Sequence, residues 1–418
     1  MTYSKLYDRL RQLRRQWKIA AVVTLSLLLL MGQVPMTQAQ IKPEIRGVWL
    51  TNVDSEVLFS KENLEAGLDQ VVDLNLNTVY PTVWNWGYTL YPSAVAESTF
   101  GVRQGLYPDL EPQGRNEALE KEQLNRDMLQ ELITLAHERG LAVMPWMEFG
   151  FMAPADSRLV QQHSDWVTQR ADGSQIKMEG SHPRVWLNPF HPGVRQFLID
   201  LTLEIVKRYE IEGIQYDDHL GLPVAYGYDP YTVELYKSQH DGIAPPQDES
   251  DLEWMQWRAD LISEWVADLF TAIKAENPKV TVSLSPNPAQ WAYDTFLQDW
   301  VKWERAGWIE ELVVQVYRDN MRRFRYELSQ PELKAARDHI PVAIGVLSGL
   351  KARPMPVSMI RRQVNQSRDR NYAGISFFFY ESLFVPEKEP LDERMETLQR
   401  LFTHTVPRVT LHHIQAQE

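Results

Sequence analysis

From residue 46 onward, short apolar runs alternate with segments whose apolar residues recur every three or four positions. Eight runs have the length and composition of buried strands, and they span residues 46–53, 77–84, 141–148, 213–218, 281–285, 312–317, 341–347 and 374–380. The segments between them have the periodicity of helices with one buried face, as at Leu64, Leu68 and Val71. Eight strands separated by helices predict an α/β fold, a (β/α)8 TIM barrel.

The main alternative for such a pattern is a doubly wound nucleotide-binding sheet. That fold carries a glycine-rich turn after its first strand, whereas residues 50–54 (LTNVD) contain no glycine. The barrel is therefore favoured, and we expect it to span residues 43–405, followed by a C-terminal tail at 406–418.

Three connections of the predicted barrel are long. They follow strands 2, 3 and 4, at about residues 86–122, 150–190 and 220–250. In TIM barrels the connections that leave the carboxyl ends of the strands build the active face, and long ones are usually functional. The alternative is that they are decorative insertions.

The first 39 residues have the pattern of a secretory signal peptide. A basic leader precedes an apolar stretch at residues 19–31, and small residues at Thr37 and Ala39 offer a cleavage site. The alternative is an uncleaved membrane anchor, which would be the protein's one contact with a membrane. Either way, we expect the body of the protein to be exported to the periplasm or the cell envelope.

Composition excludes several classes of function. The formal net charge of −13 repels phosphate backbones, so nucleic acid is not expected as a partner. The chain has no cysteine, which excludes disulfides, thiolate metal sites and thiol catalysis. No cofactor is expected.

Carboxylates stand at the predicted ends of several strands, where a barrel places its chemistry. They are Asp54, Glu148, Asp217, Asp218, Asp319 and Glu381. Because side chains alternate along a strand, Asp217 faces inward, and polar residues on strands 5 and 6 face the same space. Glycoside hydrolysis requires a pair of carboxyl groups. We therefore expect a polysaccharide substrate and a catalytic Asp217, with Asp218 either supporting it or binding loop amides.

Aromatic residues crowd the same predicted face. A set of four is expected to contact sugar: Trp84, Trp86, Trp146 and Tyr317. Sugars stack their C–H faces on aromatic rings while polar neighbours bind the hydroxyl groups. The polar neighbours expected here are His219, Asn287 and Glu381. For any one tryptophan, packing in the core is the alternative.

Two other functions remain open. The run Asp217, Asp218 and His219 could bind a divalent cation and support polysaccharide deacetylation, although no His-x-x-x-His motif occurs in the body of the chain. A catalytically silent barrel that binds glycan is the other. A serine hydrolase is not favoured, since no Gly-x-Ser-x-Gly motif is present.

Three segments resemble the bacterial glycosyl-hydrolase-like family ten: residues 46–52 (RGVWLTN), 77–83 (NTVYPTV) and 213–218 (GIQYDD). The resemblance extends over about residues 43–405. It implies a TIM barrel and an exported envelope protein. Some members are thought to cut peptidoglycan glycan strands that lack stem peptides.

The strand-4 segment is also similar to the Gly-Phe-Arg-x-Asp motif of amylase-type barrels. The terminal Asp of that motif is the nucleophile, and this similarity assigns the role to Asp217. Gln215 stands where the motif has Arg, and strand 5 lacks the carboxylate that serves there as the acid. We therefore expect Glu148 to be the general acid, with Asp218 and Glu381 in support.

Overall fold

Eight parallel strands curl into a barrel with helices on its outside. The computed structural model describes residues 42–105, 126–351, 353–386, 388–411 and 413, and residues from Pro43 onward form one unit. The predicted signal peptide and the end of the tail lie outside the described residues. The strands are β1 (Ile45–Leu50), β2 (Thr78–Pro81), β3 (Ala142–Val143 and Trp146–Met147), β4 (Gly213–Asp217), β5 (Thr281–Ser285), β6 (Glu311–Gln315), β7 (Val342–Leu347) and β8 (Gly374–Phe378).

Strand β3 closes the barrel by pairing with a different neighbour in each of its two segments. Its first segment pairs with β2, with Thr78 opposite Ala142, and its second pairs with β4, with Gln215 opposite Trp146. The other strands follow in chain order from β4 to β8, and β8 pairs with β1. The predicted TIM barrel is confirmed.

The helices described are α1 (Lys61–Asp73), α2 (Ala94–Phe100), α3 (Met128–Glu138), α4 (Arg158–Gln162), α5 (Pro192–Arg208), α6 (Pro230–Gln239), α7 (Leu252–Glu276), α8 (Ala289–Phe296), α9 (Trp300–Arg305), α10 (Met321–Glu327), α11 (Pro331–Ala336), α12 (Val357–Asp369), α13 (Tyr380–Phe384) and α14 (Leu391–Leu401). Ser60 begins α1 by accepting the N–H of Asn63, an N-cap that satisfies one otherwise free donor. In the described part of the chain, no helix has both the length and the apolarity to cross a membrane.

Long connections rise from the carboxyl ends of β2, β3 and β4, as predicted. The connection after β2 begins with a short hairpin of Trp84–Asn85 and Tyr88–Thr89 and continues into α2. The connection after β3 forms a three-stranded antiparallel sheet from Met152–Pro154, Lys177–Glu179 and His182–Trp186. These two connections bring further side chains to the β3–β4 edge of the barrel mouth.

The barrel interior is apolar around a connected chain of polar groups. Trp49 donates its indole N–H to Gln215, which donates to Ser283, which in turn donates to Glu311. Glu311 is almost fully buried and pairs with Arg408. Each buried polar group is thus bonded to the next, which avoids the cost of leaving it unsatisfied.

The first residues of the predicted C-terminal tail pack into the barrel. Val406 and Val409 are buried, and Val409 belongs to the interior cluster that contains Ile45 and Trp49. Arg408 reaches both Glu311 and the hydroxyl of Thr78. The barrel therefore uses residues 406–409 to fill its amino-terminal end, which apolar periodicity alone does not reveal.

Candidate active site

Glu148 and Asp217 lie at the carboxyl ends of two neighbouring strands. Met147 of β3 is paired in register with Tyr216 of β4. Glu148 directly follows Met147, and Asp217 directly follows Tyr216. Parallel strands are about 4.8 Å apart, so the two carboxyl groups belong to one small region at the barrel mouth. This placement agrees with the expectation that β3 and β4 bring Glu148 and Asp217 to the same side of the barrel mouth.

Asp217 is a buried carboxylate held by three N–H donors. It is 3% exposed. Its Oδ1 accepts the backbone N–H of His219 at 2.8 Å and lies 3.1 Å from the ring Nδ1 of His219. Its Oδ2 accepts the indole N–H of Trp146 at 3.1 Å. Donors on both oxygens favour the ionised form and fix the direction of the carboxylate.

Glu148 occupies a different environment. Its Oε2 accepts the hydroxyl of Thr82 at 3.1 Å and the amide of Asn85 at 2.8 Å. Asn85 also donates to the side-chain oxygen of the fully buried Asn52. The two neutral donors, Thr82 just after β2 and Asn85 in the hairpin that follows, leave Glu148 without a paired cation in direct contact among the described residues.

The two environments separate the pKa values of the carboxyl groups. Burial raises the pKa of Glu148 to about 8, and the charge of Asp217 adds to the effect. Burial also raises the pKa of Asp217, but the nearby His219 opposes it and leaves that pKa at about 6. Near pH 7, Glu148 therefore holds a proton while Asp217 is ionised, which is the division of roles that acid catalysis with a nucleophile or base requires.

His219 is the cation that accompanies Asp217. Its Nδ1 lies 2.9 Å from the backbone oxygen of Glu148 as well as 3.1 Å from Asp217, and since both are acceptors this nitrogen carries a proton. Burial lowers the pKa of His219, but the charges of Asp217 and Asp218 outweigh burial and raise it to about 10. Because Nδ1 is already bonded, the sugar contact expected of His219 would have to be made by its Nε2.

Asp218 points to the other side of the site. Its Oδ2 accepts the amide of Asn287 at 2.9 Å, and its Oδ1 accepts the amide of Gln315 at 3.0 Å. These donors come from the ends of β5 and β6. Asp218 and Asn287, which were expected to act separately, are partners of each other, and Asp218 binds side-chain amides rather than amides of the following loop.

Trp146 and Tyr317 line the mouth with Phe378. Trp146 is 4% exposed and meets Phe378 edge-on, at 6.3 Å between ring centroids. Tyr317 stacks on Phe378 at 5.2 Å and is partly exposed. Trp146 offers little ring surface to a sugar, and its contact with Asp217 makes it a positioning residue. Tyr317 retains a face that a ligand can reach.

Trp84 and Trp86 differ although both follow β2. Trp84 is 0% exposed, packs edge-on against Phe197 and donates its N–H to the backbone oxygen of Gly150. It belongs to the core, so the expected sugar contact is corrected. Trp86 is half-buried and stacks near Phe149 at 6.4 Å. Trp86 remains a candidate for contact with substrate.

Glu381 lies apart from the other candidate carboxylates. It accepts the hydroxyl of Ser55 at 3.2 Å and lines a cavity of about 450 Å³ together with Asp54, Ser348 and Lys351. This cavity is formed by segments that follow β1, β7 and β8. Glu381 therefore does not support Asp217 directly, which corrects the expectation from its place at a strand end.

Asp217, Asp218 and His219 each offer a ligand atom within 4.8 Å of the others, which is the set required by the metal-dependent alternative. Both oxygens of Asp217 already accept N–H donors, and both oxygens of Asp218 accept amides. The arrangement fits a fixed carboxylate beside a cation better than it fits a cluster of free ligands.

Sequence reasoning missed three residues that shape the site. Thr82 and Asn85 bind Glu148, and Arg184 lies over the rings of Trp86 and Phe149. Thr82 directly follows β2, so its position at a strand end was a usable signal. Asn85 and Arg184 belong to irregular connections, whose course the apolar periodicity does not define.

Curated relatives share much of this chain. DigH of Escherichia coli K12, named a glycosyl hydrolase, is 24% identical over 333 residues, which cover 68% of this chain and 67% of DigH. YngK of Bacillus subtilis, also named a glycosyl hydrolase, is 24% identical over 329 residues, covering 68% of this chain and 56% of YngK. This chain therefore spans little more than half the length of YngK.

Solved structures share the fold. The glycoside hydrolase domain of PgaB from Bordetella bronchiseptica has a TM-score of 0.58 at 14% identity, covering 80% of this chain and 94% of that domain. The β-amylase catalytic domain of Paenibacillus polymyxa has a TM-score of 0.53 at 10% identity, covering 87% and 99%. Residues 44–367 match the family described as glycosyl hydrolase-like 10, and the chain belongs to that family.

Proposed function

We propose that this protein hydrolyses glycosidic bonds in a bacterial envelope polysaccharide. The observation that carries the proposal is the pair Asp217 and Glu148, two adjacent carboxyl groups whose surroundings give them pKa values of about 6 and about 8. A glycosidase needs one ionised and one protonated carboxyl group at the same time.

In this mechanism Glu148 donates its proton to the glycosidic oxygen as the bond to the anomeric carbon breaks. Asp217 either attacks that carbon or takes a proton from the attacking water. In the first case the anomeric configuration is retained, and in the second it is inverted. Trp146 and His219 hold the carboxylate of Asp217 in place for either step.

The proposed substrate is a glycan strand of peptidoglycan, and the proposed location is the periplasm or envelope. The resemblance of the three segments to an exported family supports this substrate, and the basic leader with its apolar stretch supports export. N-terminal sequencing of envelope material is expected to give a chain that starts near Gln40. An intact Met1 or Thr2 start would instead favour an anchor.

The test of activity is incubation with purified peptidoglycan, with and without stem peptides, followed by mass analysis of the released fragments. Hydrolysis predicts soluble glycan fragments with new reducing ends, and Asp217→Asn should release none. Sedimentation of the protein with the glycan, with no fragments released, would favour the silent glycan-binding barrel.

The proximity of the ligand atoms of Asp217, Asp218 and His219 is the observation behind one second candidate, a metal-dependent polysaccharide deacetylase. Acetate would then appear in the same incubation without new reducing ends. A chelator such as EDTA would abolish acetate release, whereas it should leave glycosidic hydrolysis by two carboxyl groups unchanged.

A further inference from the structure

Arg184 is a buried guanidinium at the edge of the candidate site. It lies on the strand His182–Trp186 in the connection after β3 and is 5% exposed. The guanidinium carbon is 4.1 Å from the ring centroid of Trp86 and 5.1 Å from that of Phe149. The two aromatic rings therefore hold the cation in place.

The guanidinium of Arg184 has no hydrogen bond or ion pair with any residue that the structure describes, and its Nε is enclosed without a partner. The contrast with two other buried arginines is clear. Arg258 donates to backbone oxygens that include Val224 and Glu249, and Arg394 donates to four backbone oxygens and pairs with Glu389. The fold thus satisfies those two guanidinium groups, whereas no described residue hydrogen-bonds the guanidinium of Arg184. The carboxylates of Glu179, Asp156 and Glu148 act on it through charge alone.

Arg184 is also close to the catalytic pair of the proposed function. Phe149, under the guanidinium, directly follows Glu148, and its ring lies 6.1 Å from the ring of His219. Trp86, the other ring under Arg184, is half-buried and remains a candidate for sugar contact. A sugar bound beside Glu148 would therefore carry its substituents toward Arg184.

We propose that Arg184 binds a carboxylate carried by the sugar beside the cleaved bond, so that the enzyme acts on an acidic glycan. The inference rests on the proposed function for the position of the sugar. A guanidinium matches the planar carboxylate with two parallel N–H bonds, and the guanidinium of Arg184 lies against the rings of Trp86 and Phe149, which take up none of its N–H donors. The buried Nε of Arg184 has no hydrogen-bond partner among the described residues, and a bound carboxylate would supply the hydrogen bonds that those residues do not.

Two kinds of sugar supply such a carboxylate: one with a lactyl ether, as in muramic acid, and one with a ring carboxylate, as in a uronic acid. The test measures binding by calorimetry in the Asp217→Asn background, which prevents turnover. The probes are a tetrasaccharide of alternating N-acetylglucosamine and N-acetylmuramic acid, the same compound with its carboxyl groups reduced to alcohols, and a hyaluronan tetrasaccharide.

We expect the acidic muramic tetrasaccharide to bind at least tenfold more tightly than its reduced form. Adding Arg184→Met should abolish that difference, and Arg184→Lys should keep part of it, because lysine retains the charge without the planar fork. If the hyaluronan tetrasaccharide also binds tightly and in an Arg184-dependent way, the site accepts a ring carboxylate as well as a lactyl carboxylate. If the hyaluronan tetrasaccharide binds in this way and the muramic tetrasaccharide does not, the carboxylate that Arg184 binds is that of a uronic acid.

Two results would overturn the inference. One is equal affinity for the acidic and reduced muramic probes together with no Arg184-dependent binding of the hyaluronan tetrasaccharide. The other is a difference between the acidic and reduced probes that persists in Arg184→Met. Arg195→Met, which removes a surface arginine paired with Asp268, is the matched control and should leave the difference intact. Suppose the parent protein hydrolyses the acidic and reduced probes equally well and needs Asp217 for both. The role of Arg184 would then be refuted, and the proposed function would stand. If binding depends on the carboxylate but the parent protein hydrolyses no probe, the role of Arg184 would stand and the proposed function would be refuted.

Discussion

His219 donates twice to the same oxygen of Asp217: its backbone N–H lies 2.8 Å and its ring Nδ1 lies 3.1 Å from Oδ1. The same ring nitrogen lies 2.9 Å from the backbone oxygen of Glu148. One residue thus ties the two strands that carry the candidate catalytic pair, and its ring bonds the carboxylate of Asp217 but only the backbone of Glu148. This asymmetry is the physical basis for giving the two carboxyl groups different roles.

The pH profile of kcat/KM is expected to be bell-shaped. Activity should rise as Asp217 loses its proton near pH 6 and fall as Glu148 loses its proton near pH 8. His219→Gln removes a cation that lowers the pKa of both Asp217 and Glu148, so the acidic limb should move to higher pH and the alkaline limb should move in the same direction. An acidic limb that stays in place would show that His219 does not tune Asp217.

Trp146→Phe should lower kcat by about 10- to 100-fold and leave glycan affinity nearly unchanged. The variant keeps an aromatic ring but loses the N–H that binds Asp217, and a hydrogen bond to a charged group contributes about 1.5–3 kcal/mol. Trp49→Phe is the matched control, since its indole N–H binds Gln215 in the barrel interior. A large loss of affinity with normal kcat would instead make Trp146 a sugar platform.

Glu148→Gln should change how stability depends on pH. The pKa of Glu148 is about 8 in the folded protein, above its ordinary value of 4.5, so the folded state holds a proton that the unfolded state releases between these limits. The group therefore costs stability as pH rises from about 4.5 to 8. Melting temperatures measured across this range should fall less steeply in Glu148→Gln than in the parent, and identical slopes would contradict the raised pKa.

Arg408→Met should destabilise the barrel by about 3–5 kcal/mol, because it leaves the buried Glu311 without its cation. Adding Glu311→Gln should recover most of the loss, since the uncompensated charge is then removed. Denaturant unfolding measures both effects. Arg400→Met, which breaks an exposed pair with Glu396, is the control and should cost no more than about 0.5 kcal/mol. A similarly small loss in Arg408→Met would place residues 406–409 outside the fold.

Much of the barrel can be predicted from sequence because each buried strand is a short apolar run and each helix has one apolar face. The same logic locates Asp217 and Glu148, since both stand where a strand ends. It fails where the chain is irregular. Trp84 and Trp86 are two residues apart in one hairpin, yet only the structure distinguishes the core residue from the partly exposed one.

Position around the barrel explains the other failures. Glu381 also follows a strand, but β8 lies beside β1 and β7, so its side chain meets Ser55 rather than Asp217. Arg408 follows the last helix and returns to the floor of the barrel, where it finds Glu311. Both placements depend on contacts between residues far apart in sequence, which local patterns do not encode.

The most direct test of the central claim is the rate at which Asp217→Asn releases fragments from purified glycan, compared with the parent at pH 7. The variant keeps the volume of the side chain, and a melting temperature close to that of the parent would show that it folds. We predict a loss of at least about 1000-fold with glycan binding retained, because water offers no comparable route. Release at more than about a tenth of the parent rate corresponds to a change of less than ~1.4 kcal/mol in the barrier, and it would contradict a catalytic role for Asp217.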